Sequence, residues 1–213
     1  MNHFLRGCFF QVIVKPIVWL ILGLNIRHRE RLPSQGPAII VANHNSHLDT
    51  MVLMTLFPST LLSKIRPVAA ADYFMRNRFL AWFSSRIIGI VPIRRNAGGD
   101  VSQVLAGALA ALEQGDILLL FPEGSRGEPE RLGRFKSGVA HLVTCYPELP
   151  IIPVFLHGLG KALPKGEALL VPFFCDVFVG EPYYWTGDRK TFMQGLTDKI
   201  NALAAQGQFS TWT

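Results

Sequence analysis

From residue 36 onward, short uninterrupted apolar runs alternate with longer stretches that have helical periodicity. The runs PAIIVANH, DILLLFPEG and LPIIPVFLHG end in turn residues, which is typical of strands buried on both faces. Between them, LDTMVLMTLF and Asp100–Gly115 are predicted helices, and the second has a capping aspartate and a terminal glycine. Strands that alternate with helices predict an α/β fold with a mostly parallel, mixed sheet flanked by helices.

The remaining pattern is consistent with one domain. Further strands are predicted in 66–74, 89–93 and 168–184, and further helices in 78–87, 136–146 and 189–207. A chain of 213 residues is long enough for a full apolar core. In such sheets, ligands bind beyond the carboxyl ends of the strands, so we expect functional side chains in the segments that follow the strands.

The N-terminal segment is a long apolar stretch with one internal charge. Residues 8–26 read CFFQVIVKPIVWLILGLNI, with Arg6 before them and RHRER after them. No A-x-A cleavage site follows, as a signal peptide requires, and Lys15-Pro16 interrupts the run of about 20 apolar residues that a spanning helix needs. We predict a helix that lies in a membrane interface, with its arginines near anionic headgroups. A helix buried in the core and a single membrane span are the alternatives.

The composition also favours contact with lipid. Hydrophobic residues make up 49% of the chain, mean hydropathy is +0.28, and charged residues make up 17%, against about 25% in ordinary globular domains. The net charge of +6 suits anionic lipid or phosphorylated small molecules. No basic stripe is interleaved with aromatics, so nucleic acid is not an expected partner. The three cysteines lack CxxC spacing, which argues against a disulfide framework or a cysteine zinc site and fits a reducing compartment.

The most polar segment of the chain follows the first of the predicted strands. VANHNSHLDT, residues 41–50, places two histidines, two asparagines, a serine and an aspartate within seven positions. A turn that brings Asp49 to the His44 imidazole would fix its tautomer, stabilise the imidazolium and make His44 a general base. Alternatively, Asp49 and Ser46 only cap a helix, and His44 is an exposed turn residue. A metal site is a third interpretation, but H-x-x-H-x-D, which includes His47, differs from the H-E-x-x-H signature.

Basic residues follow two other predicted strands. LLLFPEGSRG contains Ser125 and Arg126, and PIRRN contains Arg94 and Arg95. The first segment is not a nucleophile elbow, because a glutamate stands where G-x-S-x-G requires glycine, and Ser125 therefore has no evident activation. Guanidinium groups suit phosphate, and Lys136 precedes a predicted helix start whose N–H groups also favour an anion. Singly these are ordinary surface charges, but together at one sheet edge they predict an anion site.

Taken in order, these segments resemble the PlsC-like glycerolipid acyltransferases, which include the 1-acylglycerol-3-phosphate and related lysophospholipid acyltransferases. The resemblance rests on H-x-x-x-x-D in NHNSHLD, the arginine of PIRRN, FPEGSR and IIPV, with FKSGVAHL in addition, and it covers roughly residues 36–160. It implies transfer of a fatty acyl group from a thioester, acyl-CoA or acyl-carrier protein, to a glycerol hydroxyl, without a cofactor. The predicted organisation is a membrane-associating helix and basic linker over 1–31 and an acyltransferase domain over 32–213.

The resemblance also implies roles for single residues. His44 is the general base that deprotonates the acceptor hydroxyl, and Asp49 is its partner. No acyl-enzyme is implied, which agrees with the missing nucleophile elbow. The residues implied in substrate binding are Arg94 or Arg95 of the second motif, Glu123, Gly124, Ser125 and Arg126 of the third, Lys136 near it, and Pro153 of the fourth.

The sequence therefore predicts a membrane-associated O-acyltransferase that converts a lysophospholipid, above all 1-acylglycerol-3-phosphate, to its diacyl product, phosphatidic acid. The expected partners are the lipid bilayer, the lysophospholipid and the acyl donor, at the cytoplasmic face of the inner or cell membrane, and no metal is expected. A metal-dependent lipid ester hydrolase and a non-catalytic lipid-binding module are the competing hypotheses.

Overall fold

A computed structural model of the chain describes residues 3–74, 77–93, 101–127, 132–163, 169–207 and 209. The described strands are β1 Leu22–Arg27, β2 Ala38–Ala42, β3 Ile65–Ala70, β4 Val91–Ile93, β5 Ile117–Leu120, β6 Ile151–His157 and β7 Phe173–Val179. They form one seven-stranded sheet in the order β1-β7-β6-β2-β5-β3-β4. Neighbours among β2 to β6 are parallel, whereas β7 is antiparallel to β6 and parallel to β1. The predicted α/β fold with a mostly parallel, mixed sheet is confirmed.

Helices pack on both faces of this sheet. The N-terminal helix consists of α1 (His3–Cys8), a π-helical stretch (Phe9–Val14) and α2 (Lys15–Ile21), which follow one another without a break. The later helices are α3 Leu48–Thr55, α4 Ala71–Phe74, α5 Arg78–Phe83, α6 Val101–Glu113, α7 Gly138–Cys145, α8 Leu159–Ala162 and α9 Arg189–Ala205. A second π-helical stretch, Ser84–Ile88, continues α5, and single 3₁₀ turns cover Arg29–Arg31 and Leu62–Lys64.

Alternate side chains of the central strand β2 belong to two separate apolar layers. Ala38, Ile40 and Ala42 pack in the layer that contains the N-terminal helix and α3, whereas Ile39 and Val41 pack with α6, α7 and α9. All five are fully buried, because a strand covered on both sides contacts protein with both of its faces. This arrangement explains why the strand has no polar position in the sequence.

The N-terminal helix lies along the first of these layers. Its buried side chains recur at every fourth residue, at Arg6, Phe10, Val14 and Val18. An α-helix has 3.6 residues per turn, so such a series gradually rotates away from the sheet. The π-helical stretch has a wider turn, with i→i+5 hydrogen bonds, and this turn brings the series of buried side chains back towards the sheet. By length and composition alone, Phe4–Ile21 could cross a membrane, but in this fold one face of the helix packs on the sheet.

Two predicted boundaries are wrong. The predicted helix over 8–26 ends at Ile21, because Leu22–Arg27 pairs with β7 as the edge strand β1. These six residues therefore belong to the sheet, although the prediction assigns them to the N-terminal segment. The predicted strand over 66–74 ends at Ala70, and the chain continues directly into α4.

The carboxyl ends of β2 to β6 lie at one edge of the sheet, which we call the carboxyl edge. The starts of β1 and β7 lie at the same edge, because Asp176 pairs with His157 at the end of β6 and Leu22 pairs with Phe173. The last turn of the N-terminal helix reaches this edge too, since it leads directly into β1. Strand β2 lies between β5 and β6, so the segments that leave these three strands meet there.

Candidate active site

The turn that follows β2 is fastened to the neighbouring strand β6. Asn43 Nδ2 donates to the Leu156 carbonyl oxygen at 2.8 Å, and Asn43 Oδ1 accepts the Leu156 N–H at 2.7 Å. Asn43 is buried, so these hydrogen bonds satisfy amide groups that water does not reach. They also fix the direction in which the chain leaves the sheet at His44.

His44 and Asp49 form a hydrogen-bonded pair in this turn. His44 Nδ1 lies 2.8 Å from Asp49 Oδ2, and the same oxygen accepts the backbone N–H groups of Asn45 at 2.7 Å and Ser46 at 2.9 Å. An ionised carboxylate only accepts hydrogen bonds, so His44 Nδ1 carries the proton and Nε2 presents a lone pair. No other side chain of the described residues is hydrogen-bonded to this imidazole. The ring is therefore oriented as a base.

The two partners differ in their access to water. Asp49 is fully buried, whereas His44 keeps 17% of its side-chain surface exposed. Burial raises the pKa of the Asp49 carboxyl, and the hydrogen bonds from His44, Ser46 and Asn45 oppose this rise. Within the described residues, Asp49 Oδ1 is buried without a hydrogen-bond partner, which is unusual for a polar atom in a folded protein. A buried carboxylate beside a partly exposed imidazole stabilises a proton gained by His44.

The segment after β5 packs against His44 from the neighbouring strand. The Phe121 ring stacks on the imidazole, with ring centroids 4.1 Å apart and an angle of 21° between the planes. Glu123 Oε1 accepts the His44 backbone N–H at 2.9 Å, and the Gly127 N–H donates to the His44 carbonyl oxygen at 2.9 Å. The two segments are thus joined through backbone, side chain and ring contacts.

Glu123 connects this segment to a third part of the chain. Its Oε2 accepts the Gly133 N–H at 3.2 Å while Oε1 binds His44, and only 6% of the residue is exposed. Burial raises the pKa of the Glu123 carboxyl, and both backbone hydrogen bonds oppose this rise. With both oxygens on backbone N–H groups, Glu123 positions the loop, and the predicted direct contact with substrate does not fit its geometry.

Two cationic side chains lie beside this buried cluster. The Lys136 ammonium extends over Gly124, so that a Cβ at Gly124 would lie 2.6 Å from Lys136 Nζ. Gly124 has a φ of +73°, so its backbone conformation favours glycine there. Lys136 and Ser125 are exposed and Arg126 is half-buried. The predicted third motif therefore divides into a buried glutamate and an accessible cationic part.

His47 lies between the His44 turn and this cationic part. Partial removal from water, followed by the positive charges of Arg126 and His44, lowers the pKa of His47 to about 4, although part of its ring is exposed. His47 is therefore neutral at pH 7. Removal from water is the main cause of this shift, and the charge of Arg126 contributes to it in the same direction.

The other predicted residues are Arg94, Arg95 and Pro153. Arg94 and Arg95 lie outside the described residues. Pro153 is buried in β6, where its ring lies against Gly180 on the sheet face that α9 covers. Direct contact between Pro153 and an acyl donor does not fit this position, because the ring packs in the interior.

Sequence reasoning missed the roles of Phe121 and Gly133, and it assigned Asn43 to the shape of the turn without identifying its partner. Phe121 stacks on the His44 ring, and Asn43 pairs with Leu156, 113 residues away along the chain. The available signal is the change from apolar to polar residues at the end of each strand. That signal locates the segments but does not give their contacts.

This arrangement places one imidazole beside two cationic side chains, as a general base next to an anion-binding side would require. His44 has a fixed tautomer and an accessible Nε2, and Arg126 and Lys136 carry positive charge on the accessible side. Across the described ranges, no three His, Cys, Asp or Glu side chains are grouped as a metal ion requires.

Comparison with known proteins identifies the family. A family model described as Acyltransferase matches residues 23–157, from β1 to the end of β6, and this range includes both the His44 turn and the Arg126 loop. The chain belongs to this acyltransferase family. The resemblance to PlsC-like acyltransferases that the motifs indicate is therefore confirmed.

The chain is similar to several 1-acyl-sn-glycerol-3-phosphate acyltransferases. It is 30% identical over 167 residues to the chloroplastic LPAT1 of Arabidopsis thaliana, and the matched region covers 78% of this chain and 44% of that relative. It is 26% identical over 185 residues to the alpha form of Homo sapiens, and the matched region covers 84% of this chain and 61% of that relative. The chain thus spans 44% and 61% of the length of these two relatives.

A solved structure shares the fold. The crystal structure of the 1-acyl-sn-glycerophosphate (LPA) acyltransferase PlsC from Thermotoga maritima matches with a TM-score of 0.74. The match covers 96% of this chain and 82% of that chain at 19% sequence identity. The likeness extends over the N-terminal helix as well as the sheet.

Proposed function

We propose that this protein is an O-acyltransferase that moves a fatty acyl group from an acyl thioester to the free glycerol hydroxyl of a lysophospholipid. The preferred acceptor is 1-acylglycerol-3-phosphate and the product is phosphatidic acid. The observation that carries this proposal is the 2.8 Å hydrogen bond between His44 Nδ1 and the buried Asp49 Oδ2. The names of the similar proteins support the acceptor class, and acyl-CoA and acyl-carrier protein are the candidate donors.

The reaction requires one proton to move twice. His44 Nε2 takes the proton of the acceptor hydroxyl while the hydroxyl oxygen attacks the thioester carbonyl carbon. A C–O bond forms, the C–S bond breaks, and the leaving thiolate takes the proton from Nε2. Asp49 stabilises the imidazolium that exists between the two transfers. A base held in this way contributes about 10²–10⁴-fold to the rate.

The cationic side of the site is proposed to bind the acceptor phosphate. Arg126 offers a planar pair of N–H donors and Lys136 a compact ammonium, and both make charge-assisted hydrogen bonds with phosphate oxygens. Ser125 lies in the same loop and adds a hydroxyl donor, whereas the Gly124 N–H already donates to the Phe121 carbonyl oxygen at 3.0 Å and shapes the loop. Arg94 or Arg95 is proposed as a further phosphate ligand on the basis of its sequence motif alone.

We also propose that the N-terminal helix, which ends at Ile21 within the predicted segment 1–31, associates with the bilayer in which the acceptor lies. The outward face of the N-terminal helix is apolar, and Leu20 is 85% exposed, as expected for a helix in a membrane interface. The thiols of Cys8 and Cys145 are free and exposed, which favours the cytoplasmic face of the inner or cell membrane because thiols stay reduced there.

Release of free thiol from acyl-CoA tests the proposed reaction. The purified full chain would be assayed with 1-acylglycerol-3-phosphate, other lysophospholipids and glycerol 3-phosphate, and acyl-carrier protein thioester would be the second donor. We expect release to depend on the acceptor and to be fastest with 1-acylglycerol-3-phosphate. Equal release without any acceptor would identify a thioester hydrolase instead, and no release with any pair would refute the proposal.

His44→Ala tests the assignment of the base. Transfer is expected to fall by about 10²-fold or more, while binding to vesicles that contain the lysophospholipid is unchanged, because the side chain only serves proton transfer. His141→Ala is the matched control, since His141 lies in α7 on the sheet face opposite the N-terminal helix. Equal transfer by wild type and His44→Ala would remove the proposed mechanism. Activity that requires stoichiometric zinc would favour the hydrolase.

A further inference from the structure

We propose that α5 is a second bilayer-contact element, which forms one continuous docking surface for an anionic membrane together with the N-terminal helix. The docking surface consists of the outward side chains of the N-terminal helix, Phe79 and Trp82 of α5, and the arginines Arg78 and Arg86 beside them. This inference rests on the proposed function, in which the acceptor lies in a bilayer. It adds an element that no sequence motif of the family includes.

Phe79 and Trp82 are large apolar side chains exposed to solvent. Phe79 is 71% exposed and Trp82 is 46% exposed, and their ring centroids are 6.1 Å apart. None of the residues of α5 is fully buried, so this helix gains little from the core. Aromatic side chains of this kind are enriched at membrane interfaces, where the ring meets both apolar and polar surroundings.

A chain of aromatic contacts joins α5 to the N-terminal helix. The Phe9 ring lies 5.5 Å from the buried Phe10 ring and 5.2 Å from Phe83, both in edge-to-face geometry. Phe83 in turn lies 6.4 Å from Phe79, which contacts Trp82. The aromatic contacts therefore run without a gap from the core to the exposed side chains, and they pack the two helices against each other.

The two helices run in opposite directions between the same two edges of the sheet. The N-terminal helix begins where Arg6 donates to the Ile65 carbonyl oxygen at the start of β3 and ends at the carboxyl edge. α5 begins after β3 has reached the carboxyl edge, and its π-helical continuation leads to the start of β4. A bilayer that contacts both helices therefore also borders the edge at which His44 lies.

Charge distinguishes the docking surface from the rest of the chain. Residues 1–29 contain four Lys or Arg and no Asp or Glu, and residues 73–99 contain five Arg and no Asp or Glu. All 15 acidic residues lie in other segments. Arg78 and Arg86 are both exposed, and each arginine near an anionic surface contributes about 1 kcal/mol of attraction. An apolar surface on two segments whose charged residues are all basic matches an anionic bilayer.

Vesicle sedimentation tests the contact made by α5. The full chain would be partitioned onto vesicles of equal parts phosphatidylglycerol and phosphatidylcholine. The double variant Phe79→Ser/Trp82→Ser is expected to bind these vesicles at least about tenfold more weakly than wild type. The reason is that it no longer buries part of two aromatic side chains in lipid. Tyr184→Ser is the matched control, since Tyr184 is 49% exposed and lies outside the docking surface, and it should bind like wild type.

A charge pair gives a second, independent readout. Arg78→Gln/Arg86→Gln should weaken binding to the anionic vesicles by about fivefold for each arginine and leave binding to pure phosphatidylcholine unchanged. The control, Arg189→Gln/Lys190→Gln, removes two exposed cations of α9 and should have little effect. Melting temperatures of all variants should match wild type, because the substituted side chains are exposed.

The outcomes separate this inference from the proposed function. Wild-type binding by Phe79→Ser/Trp82→Ser would overturn the inference, whether or not transfer occurs. Loss of self-association by this variant, with vesicle binding unchanged, would also overturn it, because a second copy would then occupy the surface. Weakened vesicle binding supports it even if thiol release fails. If transfer occurs, the variant should lose turnover on bilayer acceptor but keep it on a monomeric short-chain lysophospholipid.

Discussion

The turn at His44 and the loop at Arg126 belong to one site but are built differently. In the turn, Asn43 and Asp49 are buried and held by backbone hydrogen bonds. In the loop, Lys136 is exposed and Arg126 is half-buried. A proton transfer needs its base within hydrogen-bond distance and aligned before the substrate arrives, whereas a phosphate can be met by adaptable cations. The difference supports the proposed roles, in which the turn performs the chemistry and the loop binds the acceptor phosphate.

The largest effect is expected from Asp49→Asn, which keeps the shape of the turn but removes the charge. An amide neither stabilises the imidazolium nor enforces the protonation of His44 Nδ1, so kcat should fall by roughly 10³–10⁴-fold with little change in KM. Steady-state thiol release measures both constants. Asp198→Asn, an exposed aspartate of α9, is the control. A fall confined to KM would place Asp49 among the binding residues and remove the contrast between turn and loop.

Arg126→Ala should act on binding rather than on chemistry. A charge-assisted hydrogen bond contributes about 1.5–3 kcal/mol, so kcat/KM for 1-acylglycerol-3-phosphate should fall by roughly 10–100-fold, mainly through KM. An acceptor without the phosphate should react equally with wild type and variant. Lys136→Ala should show the same pattern with a smaller loss, since its side chain is more exposed. Equal losses with both acceptors would show that the loop supports the base instead.

How much of this contrast was predictable depends on the type of contact. His44 and Asp49 are five residues apart, so one turn suffices to join them, and the sequence predicts the pair. The role of Glu123 depends on N–H groups of His44 and Gly133, and no local pattern distinguishes a glutamate that binds backbone from one that binds substrate. The sequence therefore could not reveal that both carboxylate oxygens of Glu123 accept backbone N–H groups.

The N-terminal helix shows the same limit on a larger scale. Its apolar composition predicts a helix, and the structure has one. Its end at Ile21 depends on pairing of Leu22–Arg27 with β7, which lies at the other end of the chain. Residues such as Leu22 and Leu24 are compatible with helix or strand, and the tertiary partner decides. The order of β1 and β7 in the sheet is beyond local sequence signals for the same reason.

Glu123→Gln tests whether the two halves of the site depend on one another. An amide oxygen replaces only one of the two acceptors, and the buried NH2 group then faces the other N–H donor, so the free energy of unfolding should fall by about 1–3 kcal/mol. Burial raises the pKa of Glu123 in the folded state, so ionisation of this carboxyl costs more in the folded chain than in the unfolded chain. The stability of wild type relative to the variant should therefore decline as pH rises through the folded-state pKa. Urea unfolding across pH measures this, with exposed Glu148→Gln as the control. An unchanged midpoint would mean that the glutamate does not join the segments.

The smallest effect concerns His47, which lies between the two regions. Its folded pKa of about 4 is below its ordinary 6.5, so the unfolded chain binds more protons between these values. Stability from this group is complete above pH 6.5 and is lost as pH falls towards 4. His47→Asn should therefore make the loss of stability between pH 6.5 and 4 shallower, only modestly because the ring keeps contact with solvent. The positive charge of Arg126 contributes to the lowered pKa of His47. In an Arg126→Gln background, the effect of His47→Asn on the pH dependence of stability should therefore be smaller still. Urea unfolding midpoints of wild type, His47→Asn, Arg126→Gln and the double variant form a double-mutant cycle. Strictly additive effects of the two substitutions would show that turn and loop are not electrostatically coupled.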